Sequence, residues 1–189
     1  MTQEMWKPST LLAVALVLIV FLNPAEAEHD LVNNWQSSFT FECPSAQVLA
    51  SFYSVYSNTY VDRRWKFTCK SAPEGAFPIT CQWSDVTVFQ NMVMSHTCPD
   101  NYVLAGLQSK YDTQRDTRSM KFKCCTDPAY RTSSCYLPPY GNQWEETLDY
   151  QVPARMVAAG TFSLHSDQLQ DRRYGFFICS YGRSESPRQ

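Results

Sequence analysis

Residues Cys43-Pro44-Ser45-Ala46-Gln47-Val48-Leu49-Ala50-Ser51 decide how this chain is read, because the sequence repeats their pattern twice. Cys98 to Gly106 reads CPDNYVLAG and Val152 to Gly160 reads VPARMVAAG, so Cys43, Cys98 and Val152 act as anchors spaced 55 and 54 residues apart. The echo continues without a gap. Arg63, Arg118 and Arg172 stand 20 residues past their anchors, Trp65, Met120 and Tyr174 stand 22 past, and Phe67, Phe122 and Phe176 stand 24 past. A fixed period of this length marks a fold assembled from copies of one supersecondary unit.

The local pattern within each copy has period two. Phe39-Thr40-Phe41-Glu42-Cys43 and Trp65-Lys66-Phe67-Thr68-Cys69 alternate apolar and polar residues, which predicts half-buried antiparallel strands. Each unit is expected to hold a strand into the anchor, a second through the VLAS-type run and a third through the Arg-x-aromatic-x-Phe run. A fourth is expected near Cys81 and Cys135. Pro and Gly at Pro73-Glu74-Gly75 and Pro138-Pro139-Tyr140-Gly141 punctuate the joins. The predicted fold is an all-β, disulfide-stapled body with a pseudo-threefold repeat of about 54 residues. A β-prism in which each repeat is its own sheet is preferred over a β-trefoil.

The ends set the compartment. Lys7 precedes an apolar run from Leu11 to Leu22, then Asn23-Pro24 and Ala25-Glu26-Ala27, which together read as a secretory signal peptide with its cleavage site. Residues 1–27 are therefore assigned to the signal peptide and 28–180 to the all-β domain, with repeats at about 28–80, 81–134 and 135–180. Residues 181–189 are assigned to a flexible tail. No later segment approaches the roughly 20 apolar residues of a membrane-spanning helix. Removing residues 1–27 takes away Glu4, Lys7 and Glu26 and leaves 15 basic against 16 acidic residues, so no bulk charge drives the chain to nucleic acid or membrane.

All eight cysteines, Cys43, Cys69, Cys81, Cys98, Cys124, Cys125, Cys135 and Cys179, lie beyond residue 27. An even count in a secreted chain reads as a disulfide framework, and no C-x-x-C pair or clustered His suggests a metal. Cys124 and Cys125 are neighbours on a strand and point to opposite faces, so each bonds elsewhere, and pairs inside each repeat are the economical solution.

The third strand of each unit carries the candidate binding residues. One face bears Arg63 and Trp65, Arg118 and Met120, and Arg172 and Tyr174; Asp62 and Asp171 stand just before their Arg, where the middle copy has Thr117 with Asp116 one residue earlier. Two readings apply. In the structural one, which is preferred, Asp pairs with Arg or backbone while the Arg stem packs on the ring. In the other, Asp, Arg and aromatic form a sugar-stacking site. On the opposite face Arg64 and Lys66, Lys121 and Lys123, and Arg173 form short cationic ladders. Such ladders suit sulfated glycosaminoglycans, although an ordinary solvated face has the same composition. No catalytic motif is present, His29, His96 and His165 are scattered, and neither an enzyme nor a cofactor is expected.

The run Trp35 to Phe41 before Cys43-Pro44, then Asp62-Arg63-Arg64-Trp65-Lys66-Phe67, Cys124-Cys125 and Asp171-Arg172-Arg173-Tyr174, resembles the dermatopontin family and its invertebrate relatives from about Leu31 to Cys179. The resemblance implies a secreted, non-catalytic extracellular-matrix and cell-adhesion protein. Such a protein binds proteoglycan, glycosaminoglycan or collagen and supports collagen-fibril organisation; a homo-oligomer is possible. The alternative it implies is a carbohydrate-binding lectin, a haemagglutinin or cell-aggregation factor in defence. The family's bonding pattern implies Cys43–Cys69, Cys81–Cys124, Cys98–Cys125 and Cys135–Cys179. Its vertebrate members have a fifth bridge for which this chain has neither cysteine, and an acidic Tyr-rich segment that is absent between Glu28 and Trp35. In the middle copy Thr117 and Met120 replace the motif's Asp and Trp.

Overall fold

Three long hairpins dominate the computed structural model, which describes residues 31–85, 93–114 and 117–184. The proposed signal peptide, His29 and Asp116 lie outside the described residues. In chain order the strands are β1 (Phe39–Glu42), β2 (Gln47–Ser57), β3 (Asp62–Ser71), β4 (Thr80–Trp83), β5 (Val93–Thr97), β6 (Val103–Asp112), β7 (Thr117–Thr126), β8 (Tyr130–Tyr136), β9 (Leu148–Gln151), β10 (Met156–Ser166) and β11 (Asp171–Arg183). Among the described residues a 3-10 turn at Pro73–Gly75 is the one helical piece, so the molecule is all-β, as the alternation predicts.

Each anchor opens the same turn. Gln47, Tyr102 and Met156 donate their backbone N–H to the carbonyls of Pro44, Pro99 and Pro153. The third residue of each turn has positive φ, 62° at Ala46, 68° at Asn101 and 63° at Arg155. The proline fixes the entry to the turn, and the chain reverses into the hairpin.

The three hairpins also share one register. Phe52 faces Phe67, Leu107 faces Phe122 and Thr161 faces Phe176, and in each hairpin the first strand holds one extra residue, at Ala50, Ala105 and Ala159. This bulge resets the alternation, so Leu49 and Phe52, three residues apart, both enter the larger core, as do Leu104 and Leu107, while Val48 and Val103 face the smaller one. Two cores result. The larger holds Phe67, Phe122 and Phe176, and the smaller is built around Val48, Val103 and Val157.

The sheets are not the repeats. Their strand orders are β1-β6-β7-β4, β5-β10-β11-β8 and β3-β2-β9. The lead-in strand β1 of the first copy pairs with the hairpin of the second, β5 of the second with the hairpin of the third, and β9 of the third returns to the hairpin of the first. The expectation that each repeat forms its own sheet is therefore corrected. Each lead-in strand, four or five residues long, enters a tight turn at its anchor and completes the hairpin of a neighbouring copy instead of its own.

Two bonding assignments are also corrected. The disulfides are Cys43–Cys69, Cys98–Cys124, Cys81–Cys125 and Cys135–Cys179. All four stay inside a repeat, but Cys124 and Cys125 exchange the partners implied by the family resemblance. Cys81 on β4 lies directly opposite Cys125 in the register, whereas Cys124 points into the larger core toward Cys98. Strand β11 runs on to Arg183, into the segment assigned above to the tail. Tyr181 is fully buried in β11 and its hydroxyl accepts the Asp127 N–H at 2.9 Å.

Candidate functional site

Three guanidinium groups converge where the hairpins turn. Arg63, Arg118 and Arg172 are all buried and each reaches back across its own hairpin, its Nη1 donating to Ser54, Ser109 or Ser163 at 3.1, 3.4 and 3.1 Å. The carboxylates come from the neighbouring copy. Arg63 makes a two-pronged pair with Asp171, with Nε and Nη2 each 2.7 Å from a carboxylate oxygen, and Arg118 makes the same pair with Asp62. Each carboxylate also accepts a backbone N–H, from Gln36 at 2.6 Å for Asp62 and from Glu145 at 2.7 Å for Asp171. Thr117 occupies the equivalent position in the middle copy. Strand exchange and charge pairing therefore tie each copy to another through groups that neither could satisfy alone.

Above these pairs lies a depression of about 40 Å³, lined by the three Arg, both Asp, Thr117, and the triplet Tyr56, Tyr111 and His165. The tyrosine rings lie beside guanidinium carbons, Tyr56 at 5.5 Å from Arg63 and Tyr111 at 5.4 Å from Arg118. Burial pulls the Arg172 guanidinium and the His165 imidazole down from their ordinary values, and the Arg172 charge adds to the effect on His165. Arginine stays charged in either case, so the floor of the depression holds fixed cations. Chemically it is a small, preorganised, donor-rich recess that suits an anionic oxygen group.

The aromatic members of the repeated motif are buried, and Tyr174 lies against the recess. Trp65 and Tyr174 are 2% and 5% exposed and meet edge to face at 4.9 Å, so neither offers a stacking platform to a sugar. Burial pushes the Tyr174 hydroxyl up to about 12. The Asp-Arg-aromatic motif locks the fold, and the sugar-stacking reading of its rings is corrected.

The cationic ladders are similarly reduced. Arg64 is buried, donates from Nε to the Asn33 carbonyl at 3.0 Å and lies 5.6 Å from the Trp35 ring. Arg173 repeats this arrangement, with the Asn142 carbonyl at 3.3 Å and the Tyr140 and Trp144 rings at 4.4 and 5.7 Å. Asn33 and Asn142 clip the strand beneath by accepting the N–H of Trp65 and Tyr174. Lys123 pairs with Glu42 at 2.6 Å, while Lys66 and Lys121 are half-buried on outer faces. The structure does not gather the five candidate cations into one patch; the three motif arginines are the ones it brings together.

Sequence reasoning missed the serines, the Tyr56-Tyr111-His165 triplet and the two asparagines. The signal was present: each set aligns at a constant offset from its anchors, 11, 13 and minus 10. His96, Cys98 and Cys124 form a possible metal-binding group by distance, but both sulfurs belong to the Cys98–Cys124 bond, and His96 stacks on Phe122 at 4.6 Å.

Comparison with known proteins agrees with this framework. The chain is 31% identical over 169 residues to the hemagglutinin/amebocyte aggregation factor of Limulus polyphemus, covering 87% of this chain and 95% of that protein. It is 30% identical to the dermatopontin of Biomphalaria glabrata, covering 75% and 93% of the two chains, and 28% identical to human dermatopontin, covering 82% of each. No solved structure matches. The family model described as dermatopontin matches residues 33–183, and the chain belongs to that family.

Proposed function

We propose that this is a secreted, non-catalytic matrix and cell-adhesion protein that binds the acidic groups of proteoglycan glycans, and that the recess above the arginines is where it holds them. One observation carries the reading: three guanidinium groups, each donating to a serine of its own hairpin, converge on one recess together with Tyr56, Tyr111 and His165. Family membership supports the matrix and adhesion role. In this reading the mature protein begins at Glu28, its body is one domain, and Lys66, Lys121 and Lys123 supply secondary contacts along a bound polymer. Collagen-fibril organisation then follows from bridging proteoglycan on neighbouring fibrils.

A second reading, a lectin for a defined neutral or sialylated sugar, is favoured by the resemblance to the Limulus agglutinating factor. A glycan array read at two salt concentrations separates the two. Retention on sulfated glycans that falls with salt supports the first, and salt-resistant binding of one oligosaccharide supports the second. Thr117→Asp lowers the charge of the recess at the position from which Asp62 and Asp171 act. It is expected to weaken sulfated-glycan binding by more than Lys121→Ala with Lys123→Ala. The opposite ranking returns the binding site to the outer ladder.

A further inference from the structure

The three sheets differ in one respect that the repeat makes legible. The second strand of the middle and last hairpins carries a fourth strand on its outer edge, β4 on β7 and β8 on β11, whereas β3 carries none among the described residues. The cysteines mark the difference. Cys81–Cys125 and Cys135–Cys179 staple each fourth strand 27 residues past the anchor, and in the first copy that position is Lys70.

The open edge has a defined extent. Trp65 turns both backbone groups outward, its carbonyl accepting the Val32 N–H at 2.6 Å and its N–H reaching Asn33 Oδ1 at 2.8 Å. Strand alternation then turns the N–H and C=O of Phe67, Cys69 and Ser71 outward as well. On β7 the residue equivalent to Phe67 is Phe122, and it exchanges hydrogen bonds with Ser84, which leads back into β4. Among the described residues the corresponding pairing on β3 stops at Val32.

Lys70 says what belongs there. Its Nζ donates to the carbonyls of Val152 and Pro153 at 3.2 and 2.9 Å, and burial lowers its pKa. Both acceptors are neutral, so a half-buried cation sits opposite the place that Cys81 and Cys135 occupy in the other two sheets. A carboxylate at that place would pair with it. A second copy of this strand is a poor occupant, because antiparallel self-pairing would bring Lys66 and Lys70 of both chains onto one face.

We infer that the edge of β3 from Phe67 to Ser71 takes up an extended segment of a partner protein as an antiparallel fourth strand, with an acidic side chain opposite Lys70. Main-chain hydrogen bonds supply the affinity and the Lys70 pair sets the register. The edge runs along the strand from about 13 Å to about 26 Å away from Arg63 at 3.3 Å per residue, with Lys70 near its far end, so it is separate from the anion recess.

The test uses the full secreted protein and a capped, fluorescein-labelled heptapeptide of alternating threonine and valine with a central glutamate. Two controls are the same peptide with a central lysine and the same peptide N-methylated on alternate backbone nitrogens. Anisotropy at 0.15 M salt should show the glutamate peptide binding at least tenfold tighter than the lysine peptide and no binding of the N-methylated one. Lys70→Glu should reverse the charge preference. Hydrogen exchange should find the Cys69 and Ser71 amides fast in the free protein and at least tenfold slower with peptide. Equal binding of the N-methylated peptide, no reversal by Lys70→Glu, or no binding of any peptide overturns the inference. So does protection of these amides in the free protein: protection independent of concentration gives the edge to this chain's own N-terminal residues, and protection that grows with concentration gives it to a second copy.

Discussion

Replacing Asp171 by Asn removes one charge from a pair whose side chains are 4% and 1% exposed, and leaves Arg63 buried in a recess it shares with Arg118 and Arg172. Breaking a buried ion pair from one side costs about 3–5 kcal/mol, since the surviving charge has lost its compensation. The amide oxygen of Asn still accepts one of the bonds that Asp171 receives from Arg63 and from the Glu145 N–H, which places the expected loss at the low end, about 3 kcal/mol. For a domain of this size that lowers Tm by roughly 6–12 °C. Urea unfolding followed by tryptophan fluorescence is the assay, because Trp65 is buried against Tyr174 beside the pair. Two comparisons fix the interpretation. Arg63→Met with Asp171→Leu removes both charges and should recover all but about 1–2 kcal/mol. Lys123→Ala breaks a pair whose members are 22% and 44% exposed and should cost under about 1 kcal/mol. If Asp171→Asn costs no more than Lys123→Ala, or if the double variant is the less stable of the two, the pair does not tie the repeats together.

The remaining expectations are more local. Burial holds the His96 and His165 pKa values below the ordinary 6.5, so the unfolded chain binds protons more readily than the folded one. Their contribution to stability is therefore full above about pH 6.5 and is lost as pH falls through 6.5 toward the folded values, at up to about 1.4 kcal/mol per pH unit for each. His96→Phe keeps the stack on Phe122 and should flatten urea midpoints measured between pH 7 and 5; an unchanged slope contradicts the assignment. A Cβ on Gly160 would meet the backbone of β5, with Thr97 Cα at 2.9 Å, whereas one on Gly182 meets nothing within 4 Å. Gly160→Ala should accordingly cost about 2 kcal/mol. Gly182→Ala should change stability by less than about 0.5 kcal/mol, and equal effects would refute the close approach of β5 to β10. Stepwise reduction with mass mapping should recover Cys98 with Cys124 and Cys81 with Cys125, and finding the crossed pairs would refute the register of β4 on β7. Cys135→Ala with Cys179→Ala opens a 44-residue separation and should cost about 4 kcal/mol in the chain-entropy account.

Much of the fold was legible because the repeat and the alternation both speak about local geometry. The Pro after each anchor marks one turn, and the plus 20, 22 and 24 positions fall on one strand face, which is the buried one in all three hairpins. The disulfide exchange was legible too, though the resemblance pointed elsewhere. Cys43–Cys69 and Cys98–Cys124 share a separation of 26, and Cys81–Cys125 and Cys135–Cys179 share one of 44, which is the pairing the repeat itself conserves. Arg64 and Arg173 were misplaced for a different reason. Alternation assigns them to the outer face correctly, but the segments carrying Asn33 with Trp35 and Asn142 with Trp144 fold back over that face, and alternation within a strand carries no information about what covers it.

The sequence by itself determined the strands, the turn at each anchor and the confinement of every disulfide to one repeat, because each depends on residues close together in the chain. Only the tertiary structure decided which hairpin receives each lead-in strand, and with it the pairing of Asp62 with Arg118 and of Asp171 with Arg63. Those partners lie 56 and 108 residues apart, and nothing in a period of two or of 54 distinguishes a carboxylate that serves its own copy from one that serves the next. Burial makes that choice. An Arg and an Asp taken out of water must meet at short range, and the exchanged strands bring them together.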